Sequence, residues 1–111
     1  MNILHWLTRH FSNRRRALSF YRRGRARARN HDRQGAIKDY TTTIAMRDTP
    51  DEVKALALFY RALVHVAAGD EPKGVDDFNR ILAMDEGLVN VKTMARQRLA
   101  GLVSQSSEKR A

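Results

Sequence analysis

Residues 20–46 read FYRRGRARARNHDRQGAIKDYTTTIAM, and residues 58–84 read LFYRALVHVAAGDEPKGVDDFNRILAM. Laid over one another at an offset of 38 residues, the two stretches agree in size and polarity without a gap. Phe20 falls on Leu58, Tyr21 on Phe59, Arg23 on Arg61, Gly24 on Ala62, Asp32 on Asp70 and Ala36 on Gly74. Further along, Ile37 matches Val75, Asp39 matches Asp77, Tyr40 matches Phe78, Ile44 matches Leu82, Ala45 matches Ala83 and Met46 matches Met84. A fixed period of this length is the mark of an architecture in which each repeat is one supersecondary unit that buries its apolar face against the next.

Each unit reads as a helical hairpin. Ala17, Phe20, Tyr21, Gly24 and Ala28 follow the spacing that lines one face of a helix, and Asn30 and His31 break it. A second helix carries Ala36, Ile37, Tyr40, Ile44 and Ala45 and ends in the turn residues Asp48, Thr49, Pro50 and Asp51. Thr49 or Asp51 is expected to cap the following helix, with Pro50 near its first turn. In the second unit Leu56, Leu58, Phe59, Ala62, Leu63 and Val66 are apolar on more than one side, as in a helix held between neighbours. Pro72 suits the start of the next helix, which runs through Val75, Phe78, Ile81 and Leu82 towards Gly87. A last amphipathic helix carries Leu88, Val91, Met94, Ala95, Leu99 and Leu102. The expected fold class is all-α: stacked antiparallel helical hairpins with a terminal capping helix. One domain covers 14–103, with units at 17–48 and 55–86 and the capping helix at 88–103. An N-terminal amphipathic helix at 1–13 precedes it, and a disordered tail at 104–111 follows.

These residues resemble the tetratricopeptide repeat, whose pattern sets large, small and aromatic residues at fixed offsets over two antiparallel helices. Phe20, Gly24, Ala36 and Tyr40 carry the resemblance in the first unit; Leu58, Ala62, Gly74 and Phe78 carry it in the second. It covers residues 17–86 and departs from the family where Arg23 and Arg61 replace a leucine. The resemblance implies a binding scaffold whose first helices line a groove, here through Leu18, Tyr21, Arg25, Ala28 and Arg29. The second-unit groove positions, Leu56, Phe59, Leu63 and Val66, are apolar and are expected to pack under the last helix.

The excess charge is confined to one end. Residues 1–30 hold nine arginines and no acid, whereas the rest of the chain is balanced. On a helix Arg22, Arg25 and Arg29 form one ridge and Arg23 and Arg27 another, so guanidinium groups flank the apolar stripe on both sides. The expected partner-binding residues are Tyr21, Arg22, Arg25 and Arg29, recognising an acidic protein or peptide through bidentate contacts. Two alternatives use the same charge: a nucleic acid, held by its phosphates, and a membrane surface. For the latter, the apolar arc of Ile3, Leu4, Trp6, Leu7 and Phe11 is followed by three arginines. The same arc could instead pack on the first hairpin or, through Trp6 and Phe11, form a homodimer.

No catalytic arrangement is present in the sequence, and no cofactor or metal is expected. Asp76 and Asp77 point apart on a helix and read as exposed ion-pair partners, with only Asp77 recurring in the repeat, as Asp39. The histidines His5, His10, His31 and His65 lack ligand spacing, and no glycine-rich phosphate loop occurs. The absence of cysteine and of a spanning or export segment makes a cytoplasmic location the expectation.

Overall fold

The computed structural model describes residues 2–110. Helices follow one another as α1 (Ile3–Arg29), α2 (Arg33–Ala45), α3 (Asp51–Ala67), α4 (Glu71–Leu82) and α5 (Val89–Arg110). Each packs on the next, so two helical hairpins stack and the fifth helix closes the far side. No strand occurs among the described residues.

The repeat is reproduced down to its turns. α1 and α3 both end with a residue in the left-handed region, His31 at φ 63° and Gly69 at φ 88°. In each turn the following aspartate donates its backbone N–H to a carbonyl five residues back, Asp32 to Arg27 at 2.9 Å and Asp70 to His65 at 2.8 Å. This double turn satisfies the carbonyls that a helix end leaves open. The same aspartates then cap α2 and α4, accepting from the backbone N–H of Gly35 at 3.0 Å and Lys73 at 3.3 Å. A side chain with a Cβ carries a steric cost in the left-handed region that glycine escapes. His31→Gly is therefore expected to stabilise the fold by about 1 kcal/mol, measurable as a higher urea midpoint with unchanged slope.

The core lies between the hairpins and under α5. Ala55, Leu58, Phe59, Ala62, Phe78, Ile81, Val91 and Ala95 form one buried cluster; Ala36, Tyr40, Ala57 and Val64 form another. Sizes are traded between units. A Cβ on Gly24 would stand 2.7 Å from the Tyr40 ring, and one on Gly74 would stand 2.5 Å from Val66. The larger Tyr40 is thus matched with Gly24 where Phe78 goes with Ala62, and Val66 with Gly74 where the first unit has Ala28 and Ala36. Lys92 ties α5 to the stack, its ammonium donating to the Met84 carbonyl at 2.5 Å just past the end of α4.

Asp77 is not exposed, contrary to the sequence reading, and neither is its repeat counterpart Asp39. Both are buried, and each accepts a two-pronged bond from the arginine 16 residues earlier: Arg23 Nε and Nη2 at 2.9 and 2.8 Å, Arg61 Nε and Nη2 at 2.7 and 2.7 Å. Asp76 stays exposed. Arg23 and Arg61 are therefore clamps joining the two helices of each hairpin. Arg61 also donates to the Thr41 hydroxyl at 3.0 Å, linking the second hairpin to the first.

The Arg23 guanidinium bonded to Asp39 holds its carboxyl below the usual carboxylate value of 3.8. A carboxyl whose folded value is depressed stabilises the fold above its unfolded value and loses that contribution as pH falls through the folded one. The stability gap between wild type and Asp39→Asn should be full at neutral pH and shrink progressively below about pH 4, a trend readable from urea midpoints across an acid series.

Three boundaries differ from the expectation. The N-terminal segment is no separate helix, because α1 runs unbroken from Ile3 to Arg29. No glycine or proline occurs before Gly24, and extending a packed helix is far easier than starting a new one. For the same reason the tail is helical to Arg110. Met1 and Ala111, which belong to those two expectations, lie outside the described residues. Finally, neither Thr49 nor Asp51 caps α3, whose cap position is Pro50 without a side-chain bond. The Thr49 hydroxyl donates instead to the Thr43 carbonyl at 2.7 Å, satisfying the end of α2. Running past the stack at both ends, α1 and α5 give the molecule extents of 65 × 32 × 17 Å.

Candidate functional site

The five arginines in the second half of α1 divide into two sets. Arg23 and Arg27 face α2, where Arg27 joins the clamp at 3.4 Å from Asp39 and also lies 3.9 Å from Asp32. Arg22, Arg25 and Arg29 have no ion-pair partner among the described residues. Sequence periodicity shows the two ridges; only the antiparallel packing of α2 decides which one is neutralised.

Arg25 and Arg29 line a concave groove of about 440 Å³ between α1 and α3, together with Ala28, His31, Arg33, Tyr40, Tyr60, Leu63, Val64 and Ala67. Arg25 is held in place on two sides. Its Nη1 donates to the Tyr21 hydroxyl at 3.2 Å, and its guanidinium lies over the Tyr60 ring 3.9 Å from the centroid, a cation–π contact that orients a charge without neutralising it. Tyr21 in turn lies between Tyr40 and Tyr60, with ring centroids 6.3 Å from each.

Below this surface sits an unusual group. The Tyr40 hydroxyl is buried and has no hydrogen-bond partner among the described residues. Burial pushes its pKa up to about 12, against the pull of the nearby Arg25 and Arg29, so it keeps its proton and remains a donor at any physiological pH. A buried polar group without a partner ordinarily costs stability.

Of the expected residues, the structure brings Arg25 and Arg29 into the groove, with Tyr21 bracing Arg25 from behind. Arg22 is exposed but lies outside the groove lining. The sequence reading missed Arg33, His31, Tyr40 and Tyr60. One signal was available: Tyr60 lies 38 residues after Arg22, so the repeat itself places an aromatic of the second hairpin in the register of the first-helix ridge. Arg33 left no such trace, because its approach depends on the left-handed turn at His31.

Of the apolar second-unit positions, Phe59 is buried with Val91 and Ala95 of α5, and Leu56 and Leu63 pack against the same cluster. Leu63 and Val66 also line a hollow of about 380 Å³ beneath Gly101 and Leu102 of α5. Among the described residues no group of His, Asp and Glu is placed to hold a metal ion, and no helix is long and apolar enough to cross a membrane. No family model, curated protein or solved structure matches the chain.

Proposed function

We propose that this chain is a cytoplasmic, non-catalytic scaffold of the tetratricopeptide-like kind. Its α1–α3 groove takes up an acidic segment of a partner protein. The observation that carries the reading is the combination in one groove of Arg25, Arg29 and Arg33, none with an ion-pair partner among the described residues, with the apolar walls Ala28, Leu63 and Ala67. The guanidinium groups suit a carboxylate, which accepts several bonds at once, and the walls suit the aliphatic stem of a glutamate.

The test is a titration of the purified chain with a fluorescent poly-glutamate peptide and with a single-stranded RNA oligomer at several salt concentrations. Arg25→Glu/Arg29→Glu is expected to weaken peptide binding at least ~10-fold, whereas Arg14→Glu/Arg15→Glu, outside the groove, is expected to change it much less. Tyr40→Phe separates binding from stability. It removes a hydroxyl that is buried and unsatisfied beneath the groove, so the free protein gains about 1 kcal/mol while peptide affinity stays that of the wild type. RNA binding that is tighter than peptide binding and steeper in salt would transfer the groove to a nucleic-acid role. Equal peptide affinity in wild type and the Arg25/Arg29 variant would end the proposal.

A further inference from the structure

The stack ends near Asp48, but α1 continues beyond it. Asn13 donates to the Asp48 carboxylate at 2.8 Å, and His10 Nδ1 stands 3.6 Å from it; N-terminal to these residues α1 projects from the body. The projecting turns are apolar on one side. Ile3 and Leu4 are each 73% exposed, Trp6 58% and Phe11 56%. At the helical repeat, these residues and Leu7 fall within about 160° of arc. Large apolar side chains gathered like this on a surface mark an interaction site. Arg14 and Arg15 stand at the inner end of this face, both exposed, with stems long enough to bring their guanidinium groups beside it.

We infer that the projecting end of α1 is an interfacial anchor that inserts Ile3, Leu4, Trp6, Leu7 and Phe11 into the headgroup region of an anionic lipid surface. Charge selects this occupant over a second copy of the chain. Residues 1–16 carry four arginines and no acid, so pairing two such ends sets like charge against like, whereas an anionic leaflet presents the opposite sign to each. The indole of Trp6, apolar with one polar N–H, suits the boundary between headgroups and acyl chains. This surface is separate from the α1–α3 groove and does not depend on what the groove binds.

Trp6 is the only tryptophan of the chain, so its emission reports on the anchor directly. The full chain is mixed with phosphatidylcholine vesicles or with mixed phosphatidylcholine–phosphatidylglycerol vesicles. With the anionic vesicles, Trp6 emission is expected to shift to the blue and the protein to float with the lipid. Affinity should be at least ~10-fold lower for the neutral vesicles and should decline as salt is added. Leu4→Glu/Phe11→Glu keeps the reporter and changes only exposed side chains. It should lose the shift while its far-UV circular dichroism stays that of the wild type. Arg25→Glu/Arg29→Glu should keep the shift, which separates the anchor from the groove. The inference is overturned if anionic vesicles produce no shift, or if the folded Leu4/Phe11 variant binds them as well as wild type. It is also overturned if Trp6 is already blue-shifted without lipid and the protein sediments as a dimer, which would assign the face to a second copy.

Discussion

Asp77→Ala is expected to cost about 3–5 kcal/mol, a large fraction of the stability of a domain this size. The carboxylate is not simply one half of an attractive pair. It is the group that allows the Arg61 guanidinium, only 13% exposed as a side chain, to lie between the hairpins. Removing it leaves that charge buried with only the Thr41 hydroxyl as a partner. The contrast with a double replacement makes the prediction specific. Arg61→Met/Asp77→Leu removes both charges while keeping volume, and buried ion pairs exchanged for well-packed apolar residues are often neutral or stabilising. Urea unfolding of the two variants should therefore give midpoints far apart, with the single variant low and the double variant near wild type. Two equally damaged proteins would show that packing around the pair, not its charge, holds the hairpin.

Phe78→Ala should be nearly as damaging, at about 3–5 kcal/mol, but its damage should be unevenly spread. Phe78 lies in one buried cluster with Leu58, Phe59 and Ala62 of α3, Ile81 of α4, and Val91 and Ala95 of α5, with its ring 5.7 Å from that of Phe59. Three helices meet there. The fifth helix makes only a thin contact, so it should be the first to loosen in the variant. Amide hydrogen exchange is expected to accelerate most in Val91–Leu99 and least in α2, whose Tyr40 belongs to the other cluster. Uniform acceleration across all five helices would mean that the stack unfolds only as a whole.

Much of this architecture can be read from the 38-residue period, because size and polarity are conserved between units in the order that the packing requires. Gly24 against Tyr40 and Gly74 against Val66 are the close approaches implied by small residues opposite large ones. What could not be read is how charge is distributed between interior and surface. A charged residue on a periodic pattern reads as outward-facing, so Asp77 looked solvated, and its counterpart Asp39 gave no contrary sign. Their arginine partners are 16 residues away on the other helix of the hairpin, beyond any local window. The groove was legible to the same extent: Arg25 and Arg29 follow from one helix taken alone and Tyr60 from its repeat register, whereas Arg33 and the exclusion of Arg22 follow only from how α3 and the His31 turn approach that helix. The run-through of α1 and the helical tail went unread because Ser12–Asn13 and the serines after Leu102 resemble breaks, although no residue there forbids helix.

The two arginine–aspartate clamps also bear on how quickly the chain reaches this state. Each closes a loop of only 16 residues, and most contacts between helices join neighbours in sequence, so little chain entropy must be surrendered before favourable contacts form. Folding on a timescale of about microseconds to milliseconds follows. The first hairpin, complete by Ala45, can assemble before the second has left the ribosome.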